Sequence, residues 1–184
     1  VKTQRLHGGR LVVLVIAAAL VLGVATTAVL AATGVFRPTP SATRCGAPVL
    51  PGQVVDVTAS DMGRGMMGGP GMMRLWPRPA TVRPGQVSLR VFNAGSQAHE
   101  VLVLPLAAGQ TAGNLPVGSD GKVDETGSLG EASNNCGAGE GDGIEPGAVG
   151  WTTVTLQPGR YELLCNMPGH YAAGMYTELD VTGA

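Results

Sequence analysis

The sequence predicts an all-β sandwich of Greek-key type preceded by one apolar N-terminal helix. Three observations lead there. Glycine and proline are abundant (29 and 13) and aromatics make up only 4%, a mix that suits many short strands joined by tight turns. Short valine-rich runs recur with turn residues between them. One stretch, residues 11–36, carries no charge at all.

That stretch reads LVVLVIAAALVLGVATTAVLAATGVF. A run of this length spans a bilayer core as a helix. Lys2, Arg5 and Arg10 before it predict that residues 1–10 are a cytoplasmic tail and that everything after the run is exported. The rival reading is a signal peptide cleaved near Val29 and Ala31, which would release the rest by removal of residues 1–31. The length of the run favours an uncleaved single-pass anchor in the cytoplasmic membrane. Beyond residue 37 the chain has 8 basic and 13 acidic residues, a net of −5. No clustered basic face of the kind nucleic acid requires is present.

Residues 37–51 (RPTPSATRCGAPVLP) read as a linker. The domain proper is expected over 52–184. Gln53–Thr58 and Val87–Phe92 alternate as half-buried strands do. Val101–Leu106 is almost continuously apolar, as in a central strand. Val149–Leu156, Tyr161–Cys165 and Tyr176–Val181 complete the set. The turns Arg83-Pro84-Gly85 and Gln157-Pro158-Gly159 combine a preset φ with a residue free to take positive φ. Residues 107–148 break the pattern: they hold seven acidic residues against Lys122 alone. They read as a long surface insertion, partly mobile and pinned by Cys136; a structureless loop of that length is uncommon inside a compact domain, so it is either functional or hides short elements.

Three cysteines in an exported chain are an odd number, which flags one for a special role. Cys45 and Cys136 are assigned to a disulfide closing about 90 residues, with two free thiols as the alternative. Cys165 is then the one kept reduced for chemistry. Strand parity supports a role for it. With strands running alternately up and down, the loops near 63–74, 94–98 and 166–175 fall at one end of the sandwich. His99 and Cys165 therefore meet across 66 positions.

The ligand pattern is the most informative feature. Cys165-Asn166-Met167-Pro168-Gly169-His170-Tyr171-Ala172-Ala173-Gly174-Met175 is Cys-x4-His-x4-Met on a tight loop between strands, and His99 opens a strand upstream. Two imidazoles, one thiolate and a weak axial thioether form the donor set of a type 1 copper electron-transfer site. Soft sulfur suits Cu(I), and imidazole suits both oxidation states.

In this loop the sequence resembles the cupredoxins, the small blue-copper proteins that include plastocyanin and azurin. Its x4 and x4 spacing is most similar to auracyanin, rusticyanin and sulfocyanin. The resemblance covers 52–183 apart from the insertion, with Asn93-Ala94-Gly95 and His99 as a second anchor. It implies a Greek-key cupredoxin fold and one type 1 copper ion, with His99, Cys165 and His170 as equatorial ligands and Met175 as the axial one. Pro168 matches too; lacking an N–H, it cannot donate to the thiolate. Glu100 departs from the pattern, because many relatives carry Asn or Ser beside the first histidine. Asn93, Glu100 and Pro168 are thus the residues expected to tune the centre.

Weaker signals remain. Residues 61–73 hold Met62, Met66, Met67, Met72 and Met73, five of the seven methionines. This loop is open to three readings: Cu(I) binding, docking of a partner, or packing on the sandwich end. Residues 38–93 hold six arginines against Asp56 and Asp61, which read as a solvated face in preference to a basic docking face. Trp76 and Trp151 read as core. Two functions follow. The first is a membrane-anchored carrier of single electrons between respiratory-type redox proteins. The second is a copper-handling protein that uses the methionine-rich loop. An enzyme is disfavoured: no His-x-His pair occurs, and the ligand loop has one cysteine where a binuclear copper centre needs two.

Overall fold

A computed structural model describes residues 45–61 and 73–183. The apolar run 11–36, and with it the expected membrane anchor, lies outside the described residues, as do Met62, Met66, Met67 and Met72. Among the described residues no helix is long and apolar enough to cross a membrane.

Among the described residues nine strands form: β1 (Gln53–Asp61), β2 (Met73–Arg78), β3 (Thr81–Val82), β4 (Gly85–Asn93), β5 (Val101–Leu106), β6 (Glu131–Ala132), β7 (Val149–Leu156), β8 (Gly159–Leu164) and β9 (Tyr176–Val181). They make two sheets, ordered β2-β1-β4-β7 and β3-β9-β8-β5-β6. The chain crosses between sheets repeatedly, from β4 to β5, from β6 to β7 and from β7 to β8, as a Greek-key sandwich requires. The expected strands at 101–106, 149–156 and 176–181 have the bounds read from sequence. β1 runs three residues further than expected, and Cys165 falls just beyond β8. The short β2, β3 and β6 escaped the pattern because two- to six-residue edge strands carry too few alternations to register.

The core follows from strand alternation. In β4, Val87, Leu89 and Val91 point inward with no exposure, while Gln86, Arg90 and Phe92 point out. They meet Val55, Val57 and Ala59 of β1 and, from the second sheet, Val101, Val103, Leu163 and Leu179. Gly85, with φ of 123°, makes the turn into β4 that a side-chain-bearing residue would adopt at a cost. Leu89→Ala would leave a cavity between the sheets. It is expected to cost about 2–5 kcal/mol, read as a lower urea midpoint at unchanged slope.

The insertion 107–148 holds the short β6 and packs on the second sheet. β5 is apolar on both faces because it serves two cores. Val101 and Val103 face the sandwich interior, whereas Leu102 and Leu104 pack with Leu164, Tyr171 and Val123 in a second cluster. Val123 and the neighbouring Leu115 belong to the insertion, which therefore covers the outer face of the second sheet. It is also hydrogen-bonded to that sheet: Val103 N–H donates to Gly130 O (3.1 Å), and Leu129 N–H donates to Val103 O (2.9 Å). A disulfide joins Cys45 to Cys136, as expected from the cysteine count, and pins the insertion to the segment before β1.

Candidate metal centre

β1 and β4 run parallel and end together, with Ala59 opposite Asn93. Beyond β4 the chain must turn to reach the other sheet, and Asn93 fixes that turn. Its side-chain amide donates to Gln97 O and Ile144 O (2.7 Å each), and its carbonyl accepts from Gly95 N–H (2.8 Å). His99 follows, held in place by a two-way backbone pair with Ile144 of the insertion. Opposite it, β8 delivers Cys165 at its end. The 165–175 loop closes on itself, because Cys165 N–H donates to Met175 O (3.0 Å) and Met175 N–H donates to His170 O (3.1 Å). Three of the four predicted donors thus sit on one hydrogen-bonded turn, and the fourth is brought by a strand end.

His99 Nδ1 lies 3.3 Å from His170 Nδ1 and 4.0 Å from Cys165 Sγ, and His170 Nδ1 lies 3.3 Å from that sulfur. A triangle with these sides has its centre about 2.1 Å from each corner, the length of a bond from a first-row metal to nitrogen or sulfur. The donors therefore fit a trigonal metal without rearrangement. Cys165, His99 and Met175 have no solvent exposure, and His170 has 9%. Met175 belongs to the same buried cluster as Cys165. Two nitrogens, one thiolate and a buried thioether are what a type 1 copper takes.

The electrostatics agree with a site shaped for a cation. Burial pushes the Cys165 thiol up to about 12, against the lowering effect of N–H groups of Glu100 and Met167 directed at it; the Glu100 N–H lies 3.5 Å from the sulfur. Burial, reinforced by His170, pushes His99 down to about 4, and burial lowers His170 as well. The imidazoles are thus neutral and available as donors, while the sulfur becomes a thiolate only when a positive charge takes the place of its proton.

The remaining predicted residues divide. Glu100 is buried, and burial together with nearby Glu131 raises its carboxyl to about 7; the bracing it gives the thiolate comes from its backbone, which any residue would supply. Pro168 lies exposed on the ligand loop. Met73 begins β2 and packs partly buried against the core. The two tryptophans correct the sequence reading. Trp76 is 51% exposed, with the Arg74 guanidinium 5.8 Å from its ring centroid, and Trp151 is only partly buried. Both sit on the outward side of their strands, which composition alone does not reveal.

Two residues of the site escaped the sequence reading, Asp61 and Asn166. Asn166 follows the cysteine and reaches into the insertion. Its carbonyl accepts from Val123 N–H (2.7 Å), and its amide donates to Val123 O (2.9 Å) and to Glu125 Oε1 (2.7 Å). Gly169 N–H donates to Gly121 O (2.9 Å) alongside. The insertion is therefore clamped to the ligand loop. Asn166→Ala would leave both polar groups of Val123 buried without partners. It is expected to cost about 2–3 kcal/mol, with amide exchange at Val123 accelerating more than exchange in β4.

A family model described as the sulfocyanin (SoxE) domain matches residues 71–184. No curated protein matches the chain. Among solved structures, dithionite-reduced auracyanin from Roseiflexus castenholzii is 19% identical, with a TM-score of 0.45 over 71% of this chain and 98% of that one. A reduced rusticyanin is 19% identical, with a TM-score of 0.42 over 72% and 82%. Auracyanin A of Chloroflexus aurantiacus, a "blue" copper protein, is 18% identical, with a TM-score of 0.42 over 70% and 99%. With a family model spanning well over half its length and a donor set that fits type 1 copper, the chain belongs to the sulfocyanin family of cupredoxins.

Proposed function

We propose that this chain carries single electrons outside the cytoplasmic membrane. His99, Cys165, His170 and Met175 would hold one type 1 copper. Bound copper supplies the Cu(II)/Cu(I) couple. The protein's own contribution is a donor triangle already assembled at bonding distance, and this is the observation that carries the reading. A preformed cage favours neither oxidation state by moving its ligands, so little reorganisation accompanies each transfer.

His170 is the more exposed of the two imidazoles and sits on a loop with exposed Pro168, Gly169, Ala172 and Ala173. That loop is the short route for an electron between the centre and a docked redox protein. The apolar run 11–36 supports tethering in the membrane, and its flanking charges support an outward-facing domain. The donor and acceptor are then redox proteins of respiratory type.

Voltammetry of the copper-loaded full-length chain tests the reading. A reversible one-electron wave with one copper per chain is the expected result. A chain that takes up several Cu(I) ions and gives no reversible wave would instead be a copper handler acting through its methionine-rich loop.

A further inference from the structure

His99 has two edges, and the centre uses only one. Nδ1 faces Cys165 and His170. Nε2, on the other edge, is buried and has no hydrogen-bond partner among the described residues. A neutral imidazole that offers Nδ1 to a metal carries its proton on Nε2, and a buried N–H without an acceptor is costly. The carboxylate of Asp61 faces it, with Oδ2 at 3.9 Å and both side chains almost completely buried (0% and 4% exposed). This is longer than a hydrogen bond. It is nonetheless a close charge–dipole contact in a place with little water.

The carboxylate is not free to swing away. Oδ1 accepts from Ser96 N–H (2.5 Å), and Oδ2 accepts from Gln97 N–H (2.9 Å) and the Ser96 hydroxyl (3.1 Å). Asp61 is therefore an anion fixed in position. Gly95 makes the approach possible. A methyl group there would overlap Asp61 Oδ1 and come within 2.8 Å of His99 Nε2. The parallel pairing of β1 with β4 brings the end of β1 beside the loop that leads to His99.

We propose that Asp61 is a positioning residue for the centre: its carboxylate takes the Nε2 side of His99, keeps Nδ1 turned toward the copper, and favours Cu(II) over Cu(I). This rests on the type 1 copper reading above. A carboxylate behind a ligating imidazole fixes its tautomer and raises its basicity. A fixed negative charge also stabilises the more positive oxidation state.

The experiment uses the full-length chain in detergent, labelled with 15N-histidine, with and without copper. In the copper-free protein, His99 is expected as the Nε2–H tautomer with a slowly exchanging proton. Asp61→Asn removes the charge and keeps one of the two accepting oxygens that hold Ser96 and Gln97, so the Nε2 resonance should shift and its proton exchange faster. In the loaded protein, Asp61→Asn is expected to move the Cu(II)/Cu(I) equilibrium about tenfold toward Cu(I), a rise of about 59 mV for one electron. Asp56→Asn is the control. It removes the same charge from the same strand at an exposed ion pair with Arg90 and should leave the potential unchanged.

A copper-free His99 with its proton on Nδ1 overturns the proposal, as does an Asp61→Asn potential equal to that of Asp56→Asn. Should Asp61→Asn fail to fold, the tautomer in the unsubstituted chain decides alone. Should the chain not form a copper–thiolate bond, the electron-carrier reading fails, and the copper-free tautomer still decides the role of Asp61.

Discussion

Cys165→Ser is expected to remove the intense visible absorption of the copper-loaded protein entirely while leaving the sandwich folded. The sulfur has no solvent exposure and lies 3.3 Å from one imidazole nitrogen and 4.0 Å from the other. Serine is close to cysteine in size, so the packing changes little. The chemistry changes greatly. A buried hydroxyl gives up its proton far less readily than a thiol, so the triangle loses its anionic, polarisable corner. His99 and His170 remain and still bind Cu(II), but as two nitrogens without a soft partner. Absorption spectroscopy and a copper titration check this together. The expected outcome is a nearly colourless protein that binds Cu(II) more weakly and Cu(I) hardly at all.

Replacing both Cys45 and Cys136 by alanine is expected to lower stability by about 4–5 kcal/mol, the chain-entropy figure for a closed loop of this length. The disulfide links positions 91 residues apart. It ties the segment before β1 to the insertion that covers the outer face of the second sheet. For a domain of this size the loss corresponds to a melting temperature lower by roughly 10–20 °C. Calorimetry of the copper-free double variant measures it, and reductant should bring the unsubstituted protein to the same point. The colour of the copper-loaded form should persist below the lowered transition. Cys165 is the free, buried thiol and takes no part in the bridge.

The sequence made some of this structure legible and hid the rest for physical reasons. The ligand loop was readable because its three donor residues, Cys165, His170 and Met175, lie within eleven positions on one turn, so spacing alone implies proximity. His99 was readable through the resemblance and through strand parity, which placed loops 94–98 and 166–175 at one end; the Asp61 bonds to Ser96 and Gln97 show that 94–98 and the end of β1 lie together. Asp61 itself stayed hidden. Its role depends on β1 lying parallel to β4, a pairing between segments that local patterning does not encode. The packing of the insertion was hard to read because its glycines and acids resemble a solvated loop. On the outer face of the second sheet the apolar surface is supplied mostly by its neighbours Leu102, Leu104 and Leu164, with Leu115 and Val123 from the insertion, while Ala132, Ile144 and Ala148 of the insertion join the main core. The continuous apolar run of β5 was the available signal that both of its faces were covered. Trp76 and Trp151 misled for the opposite reason, since size and hydrophobicity do not say which side of a strand a residue occupies.

The most direct test of the account is the electron paramagnetic resonance spectrum of the Cu(II)-loaded full-length chain. A trigonal site with a short copper–thiolate bond delocalises the unpaired electron onto sulfur, so the account predicts one copper per chain with unusually narrow hyperfine splitting. A spectrum with the wide splitting of ordinary tetragonal Cu(II), unchanged by Cys165→Ser, would contradict it.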